Sequence, residues 1–139
     1  MNEPSAFQRL NPIIQEELYR MKWTALRPIQ VDAIHAILGS NKHLIISANT
    51  AGGKTEAAFL PILSEIVEDH KSSVRALYVG PLKALINDQF RRLEELCERA
   101  EIPVHKWHGD VNQSKKHQVL KSPGGVLLIT PESIESLFI

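Results

Sequence analysis

Apolar residues recur along this chain in two rhythms, and the rhythms divide it into elements. From about residue 41 onward, short apolar runs alternate with longer stretches in which apolar positions return every three or four residues. The first pattern is that of strands buried on both faces, the second that of amphipathic helices. The runs at 43–48, 74–79, 103–107 and 126–130 are therefore predicted strands, and 55–67, 83–100 and 112–121 predicted helices. The helix over 83–100 is the most regular: Leu85, Ile86, Phe90, Leu93, Leu96, Cys97 and Ala100 share one face, while Arg91, Arg92, Glu94, Glu95 and Glu98 fill the other. In 55–67 the apolar stripe is broader and contains Pro61, which predicts a kink without a break. Strands separated by helices pair in parallel through crossovers, so the fold class is α/β. Before residue 41 lie two further helical segments, 12–21 and 28–38, joined through 23–27 and closed by Gly39.

Composition narrows the class. With 139 residues, 43% hydrophobic and 23% charged, the chain has a globular composition and the length of one domain at most. Sixteen basic and sixteen acidic side chains cancel, which removes any bulk electrostatic drive toward a polyanion or an anionic membrane, so contact with a polyanion must be local. The single cysteine, Cys97, excludes an internal disulfide framework and fits a reducing compartment. The first ten residues lack a basic-then-apolar signal, and no apolar run approaches the roughly 18 residues needed to cross a bilayer. The reading is a cytoplasmic protein with no membrane partner.

Between the strand at 43–48 and the helix at 55–67 stands Ala48-Asn49-Thr50-Ala51-Gly52-Gly53-Lys54-Thr55. A triphosphate needs this arrangement: glycines that let the backbone approach an anion, and amides at a helix N-terminus to cradle it. Lys54 supplies charge to the outer phosphates, and the Thr55 hydroxyl is a candidate ligand for magnesium. The competing account is a glycine-rich turn with a solvated lysine, which the flanking strand and helix disfavour.

The same eight residues resemble motif I of the superfamily 2 helicases, a group that includes DEAD-box and Lhr-type proteins; the family's usual glycine is replaced here by Ala51. Upstream, Leu26-Arg27-Pro28-Ile29-Gln30 is similar to the adenine-reading Q motif. Its glutamine amide offers the donor and the acceptor that the adenine edge needs. Arg27 and Trp23 are candidates for stacking on the base, although a Trp before a helix is more often a core anchor, and Phe7 also qualifies. Downstream, residues 78–85 resemble motif Ia, with Pro81, Lys83 and Ala84 as contacts to nucleic acid. Gly109-Asp110 resembles the GD element, and Thr130, Pro131, Glu132 and Ser133 resemble motif Ib. Pro81 and Thr130-Pro131 each lie where a strand gives way to a helix, so free backbone amides point outward toward a phosphate there, and contacts through amides and single hydroxyls reconcile zero net charge with a polyanionic partner bound independently of sequence. Alone, the segment from Thr130 to Ser133 reads as an ordinary helix cap; its order after the other motifs favours the functional reading.

Two other clusters carry less. His105 and His108 flank Trp107, but no second ligand pair has metal spacing, and a continuing strand points the two rings to opposite faces. Lys115, Lys116, His117 and Lys121 make a local basic group that reads as a solvated helix face.

The resemblance extends over nearly the whole chain and is strongest to Lhr-type DEAD/DEAH helicases. It implies a P-loop NTPase (RecA-like) parallel sheet with flanking helices, present here incompletely. Residues 1–40 are then an N-terminal helical segment with the Q-motif-like element, and 41–139 a partial ATP-binding domain ending before motif II. It implies ATP and Mg2+ as cofactors and nucleic acid as partner, DNA favoured over RNA. The Asp-Glu pair of motif II and the second motor domain fall outside this sequence, so the segment alone is not expected to hydrolyse ATP without the remainder of the helicase or a partner chain. In the family the strands of motifs II and III lie between those of motifs I and Ia, which predicts a gap in the sheet and a marginal, oligomeric or differently paired isolated chain. The alternative from another class is a non-catalytic nucleic-acid-binding or interaction module that retains a relic of the fold.

Overall fold

The structure, a computed structural model, describes residues 4–48, 53–69 and 71–137. These fall into two compact units, residues 1–68 and 69–139.

The first unit is helical among its described residues. Ser5 and Gln8 form a reciprocal capping box that starts the short helix α1 (Ala6–Arg9). Asn11 accepts the Ile13 amide and, with Pro12 in the first turn, starts α2 (Pro12–Arg20). After a turn in which Lys22 takes a positive φ comes α3 (Pro28–Gly39), which runs one residue beyond the predicted end. The fourth helix, α4 (Lys54–Ile66), continues through Pro61, which is buried in its apolar face. Ile14, Leu18, Ile34, Leu60 and Leu63 are almost wholly removed from water, each worth roughly 1.5–3 kcal/mol relative to exposure. α4 packs against both α3 and α2, and the Asn11 amide donates to the Ser64 hydroxyl, tying the entrance of α2 to the middle of α4. Glu17 is buried on the apolar side of α2 and is neutralised by Arg20 at 2.6 Å.

The strand expected over 43–48 does not form. Residues 41–48 are irregular chain, with Leu44 45% and Ile45 94% exposed. A strand exists only through its neighbours, and this run has no hydrogen-bonded partner among the described residues, so its apolar pattern remains unfulfilled.

The second unit is a parallel three-stranded sheet: β1 (Ala76–Val79), β2 (Val104–Trp107) and β3 (Val126–Ile129), in the order β1-β3-β2. The register aligns Val79 and Trp107 with Ile129, so all three strands end at one level. Helix α5 (Lys83–Cys97) joins β1 to β2, α6 (Gln113–Lys121) joins β2 to β3, and α7 (Pro131–Leu137) follows β3. Central β3 is buried along its whole length, as its unbroken apolar run requires. One face packs Trp107, Val119, Leu127 and Ile129 with Val74, Ile134 and Leu137. α5 contributes Ile86, Leu93, Leu96 and Cys97, all buried, and packs on β2 and β3. Burial pushes the Cys97 thiol up to about 12, leaving it a packing residue, as the periodicity predicted.

One glycine fixes the start of β3. Gly125 has φ +52°, and a Cβ there would stand 1.9 Å from the Pro103 carbonyl oxygen. That close approach lets the Val126 amide reach Pro103, while the Gly125 carbonyl accepts from Arg75 and Ala76. All three chains are thereby aligned at the point where the sheet begins.

Candidate functional site

The candidate residues fall in both units. In the first, α4 opens at Gly53, which has φ +79° and offers no capping side chain to the amides that follow. The first hydrogen bond of the helix is Ala57 N–H to Gly53 C=O, so the amides of Lys54 and Thr55 stand at a helix N-terminus. Lys54 is exposed and Thr55 half-buried. An opening without a side-chain cap, a left-handed glycine and an exposed lysine form a donor set that fits a phosphate group, and the Thr55 hydroxyl is the oxygen that would suit its magnesium. Ala48 is partly exposed; Asn49, Thr50, Ala51 and Gly52 lie outside the described residues.

Gln30 lies directly against this opening. It is 2% exposed, accepts the Arg27 amide through Oε1 at 2.9 Å and donates from Nε2 to the Gly53 carbonyl at 3.4 Å. A Cβ on Gly53 would meet Gln30 Nε2 at 2.6 Å and the Arg27 side chain at 3.4 Å. The Q-motif-like residues and the last glycine of the loop are therefore in physical contact across a long stretch of sequence, a link that spacing could not reveal. Phe7 and Trp23 instead line a cavity of about 430 Å³ with Tyr19, Leu26, Val31 and His35, in which Phe7 and Tyr19 meet edge to face at 5.5 Å.

In the second unit the three downstream motifs converge. Because the strands are parallel and end together, residues 80–84, 108–110 and 130–133 all emerge at the C-terminal edge of the sheet, where ligands of open α/β sheets bind. The Gly80 amide donates to the Ile129 carbonyl and the Thr130 amide to the Trp107 carbonyl. These bonds stitch the three segments together just beyond the last paired residues. Pro81, Lys83, Ala84, Gly109, Asp110, Pro131 and Glu132 are exposed along that edge. Thr130 and Ser133 are not: both are buried, and their hydroxyls bond each other at 2.9 Å. Their side chains serve the turn into α7.

Lys83 Nζ pairs with Asp110 Oδ1 at 3.2 Å, joining the start of α5 to the GD turn, and Gly109 lies close beneath the same lysine. Behind them stands a residue set aside as a metal ligand on spacing and strand geometry. His108 is 2% exposed; its Nε2 lies 2.9 Å from Asn87 Oδ1, and its Nδ1 accepts the Asp110 amide at 3.1 Å. Burial first, then the positive charge of Lys106, holds the His108 imidazole below its ordinary range, with Asp110 opposing. His105 is lowered as well, by burial, and its Nε2 is buried without a hydrogen-bond partner. Lys115, Lys116 and Lys121 lie on α6; Lys116 Nζ stands 5.7 Å from the centre of the Trp107 ring.

A helix N-terminus opened by glycine and packed on a Q-motif-like glutamine, together with a sheet edge carrying three ordered motifs, defines a helicase motor segment. Residues 27–139 match the DEAD/DEAH box helicase family, and the chain belongs to that family. Among curated relatives it is similar to the ATP-dependent helicase Lhr-Core of Saccharolobus solfataricus, 31% identical over 95% of this chain and 16% of that protein. The chain thus spans about a sixth of the length of that relative. Among solved structures it resembles the helicase Lhr of Mycobacterium smegmatis, bound there to single-stranded DNA and AMP-PNP, with a TM-score of 0.76 and 29% identity over 94% of this chain and 18% of that one. A DEAD-box helicase bound to single-stranded RNA matches the fold with a TM-score of 0.85 at 21% identity, over 98% of this chain and 30% of that one. The RecA-like fold expected from the sequence is the fold observed, as an incomplete sheet.

Proposed function

We propose that this chain is the nucleotide- and nucleic-acid-binding front of an ATP-driven helicase or translocase, holding ATP at the start of α4 and a nucleic-acid backbone along the C-terminal edge of its sheet. The observation that carries the reading is the convergence of residues 80–84, 108–110 and 130–133 on one edge. Nothing about the packing of a solvated domain requires three helicase-like turns to meet there.

Lys54 would place its charge on the outer phosphates, the amides at the start of α4 would donate to their oxygens, and the Thr55 hydroxyl would be an oxygen ligand for the magnesium. Bound magnesium supplies charge neutralisation between the outer phosphates. Gln30 and Arg27 select the adenine base, and Ala48, Asn49, Thr50, Ala51, Gly52 and Gly53 complete the loop around the phosphates. The contact between Gln30 and Gly53 supports this assignment, since it lets base recognition set the shape of the phosphate loop. Pro81, Lys83, Ala84, Gly109, Asp110, Thr130, Pro131, Glu132 and Ser133 form the backbone-binding edge, with Thr130 and Ser133 acting through the turn they hold. DNA is the favoured partner, a preference that the single-stranded DNA in the Mycobacterium smegmatis structure supports. The sequence has no Asp-Glu pair, so turnover requires the remainder of the helicase or a partner chain.

The test is the salt dependence of oligonucleotide binding in the parent chain and in Lys83→Ala. One lysine-to-phosphate contact on a single strand contributes about 0.7 to the slope of log affinity against log salt. The variant should lose about that much; identical slopes would remove Lys83 and its edge from the interface.

A further inference from the structure

His108 has one tautomer open to it, and its neighbours dictate which. Lys106 Nζ donates to Asn87 Oδ1 at 3.2 Å, and an ammonium can only donate, so the atom of Asn87 facing this cluster is its oxygen. His108 Nε2, 2.9 Å from the same oxygen, must then carry the proton. Nδ1 is left with a lone pair, and the Asp110 amide donates into it at 3.1 Å. The ring thus spans two elements: through Nε2 it holds the second turn of α5, and through Nδ1 the backbone of the Gly109–Asp110 turn. Lys83, one helical turn before Asn87, closes the loop by pairing with Asp110.

We propose that neutral His108 is the positioning residue that fixes the Gly109–Asp110 turn against α5, so that backbone binding at this edge requires the ring to be uncharged. This rests on the nucleic-acid reading given above. A second proton could go only to Nδ1, where it would face the Asp110 N–H, donor against donor, and the turn would have to move away. The charged groups facing the ring are Lys106 on β2, Lys83 on α5, Lys116 on α6 and Asp110 in the turn itself. Three of the four oppose a positive charge on the ring. No metal or added group is involved; one proton and two hydrogen bonds account for the effect.

The direction of the pH effect separates this from ordinary electrostatics. Protonating histidines elsewhere adds positive charge and strengthens binding to a polyanion, whereas protonating His108 weakens it. The experiment measures binding of fluorescein-labelled oligothymidylate to the full chain from about pH 7.5 to about pH 5.5, in the parent, His108→Asn and His108→Ala. Asparagine keeps an acceptor oxygen near the place of Nδ1 and cannot be protonated. Because the ring is held below its ordinary range, the parent should lose affinity progressively below about pH 6.5, by about two- to fivefold at the acid end. His108→Asn, which keeps an acceptor for the Asp110 amide but not the donor to Asn87, should lose the acid decline, its own affinity holding within about twofold across the pH range. His108→Ala should be about tenfold weaker throughout. Affinity that holds or rises in the parent on acidification, or a His108→Ala chain that binds like the parent, would overturn the proposal. A second measurement needs no ligand and no variant: the Asp110 amide resonance should titrate with the His108 ring, and an amide that does not move overturns the coupling. A chain that binds no oligonucleotide at any pH would instead sink the nucleic-acid reading, and the amide titration would still decide whether His108 fixes the turn.

Discussion

Single residues carry three measurable consequences. Lys54 is the only side chain of the loop with a positive charge, so Lys54→Ala should abolish nucleic-acid-stimulated ATPase activity in an intact helicase containing this segment and weaken nucleotide binding by the segment itself. Isothermal titration of the segment with ATP and magnesium reads the second effect, and unchanged affinity would refute the site. At Gly125 the left-handed φ and the 1.9 Å approach to Pro103 leave no room for a methyl group. Gly125→Ala should therefore cost about 3 kcal/mol or more, since backbone must move at the point where three chains align; urea unfolding followed by circular dichroism measures it. His105 and His108 both have folded values held below the ordinary 6.5. Between the folded and unfolded values the unfolded chain binds more protons, so stability rises with pH in that window. It should be fully present above about pH 7 and fall as the pH drops through 6.5 and then through the lowered folded values. Unfolding midpoints on either side of that window report the slope, and an opposite slope would contradict both assignments.

At the level of elements, much of the fold could be read from the sequence. The apolar face of α5 and the unbroken run of β3 identified themselves because periodicity and burial agree there. Asn112, whose side chain accepts the Lys115 amide at 2.8 Å, marks the start of α6; Asn112→Ala should cost about 1 kcal/mol, measurable as a lower thermal midpoint. The segment 43–48 misled for an equally physical reason. Isoleucine-rich composition states a preference, whereas a strand also needs a neighbouring backbone, and local sequence does not contain one. The candidate site divides in the same way. Loop and turn residues stood out as candidates because glycine, proline and lysine recur there at fixed offsets. The grip of Gln30 on Gly53 and of His108 on Asn87 joins residues distant in sequence, so nothing in spacing announced it. His108 was weighed only as a metal ligand because its strand partner was in view and its helix partner was not.

For the whole molecule, exposed apolar surface sets the expectation. Leu44 and Ile45 lie open in the first unit and Leu77 and Val79 in the second, the latter two on an edge strand. Such surface invites pairing with other chains. The 139-residue chain studied alone should therefore self-associate or unfold without full cooperativity, as sedimentation velocity combined with thermal denaturation would reveal. A monomer with one sharp transition would count against it.

The level ending of the three strands has one more consequence, and it concerns length. Neighbouring strands lie about 4.8 Å apart, so the outer turns, after β1 and after β2, are separated by roughly 10 Å across β3. A stacked nucleic-acid strand advances about 3.4 Å per nucleotide. On the proposed reading the sheet edge works as a gauge about three nucleotides long, a footprint set by the hydrogen-bond spacing of its own strands.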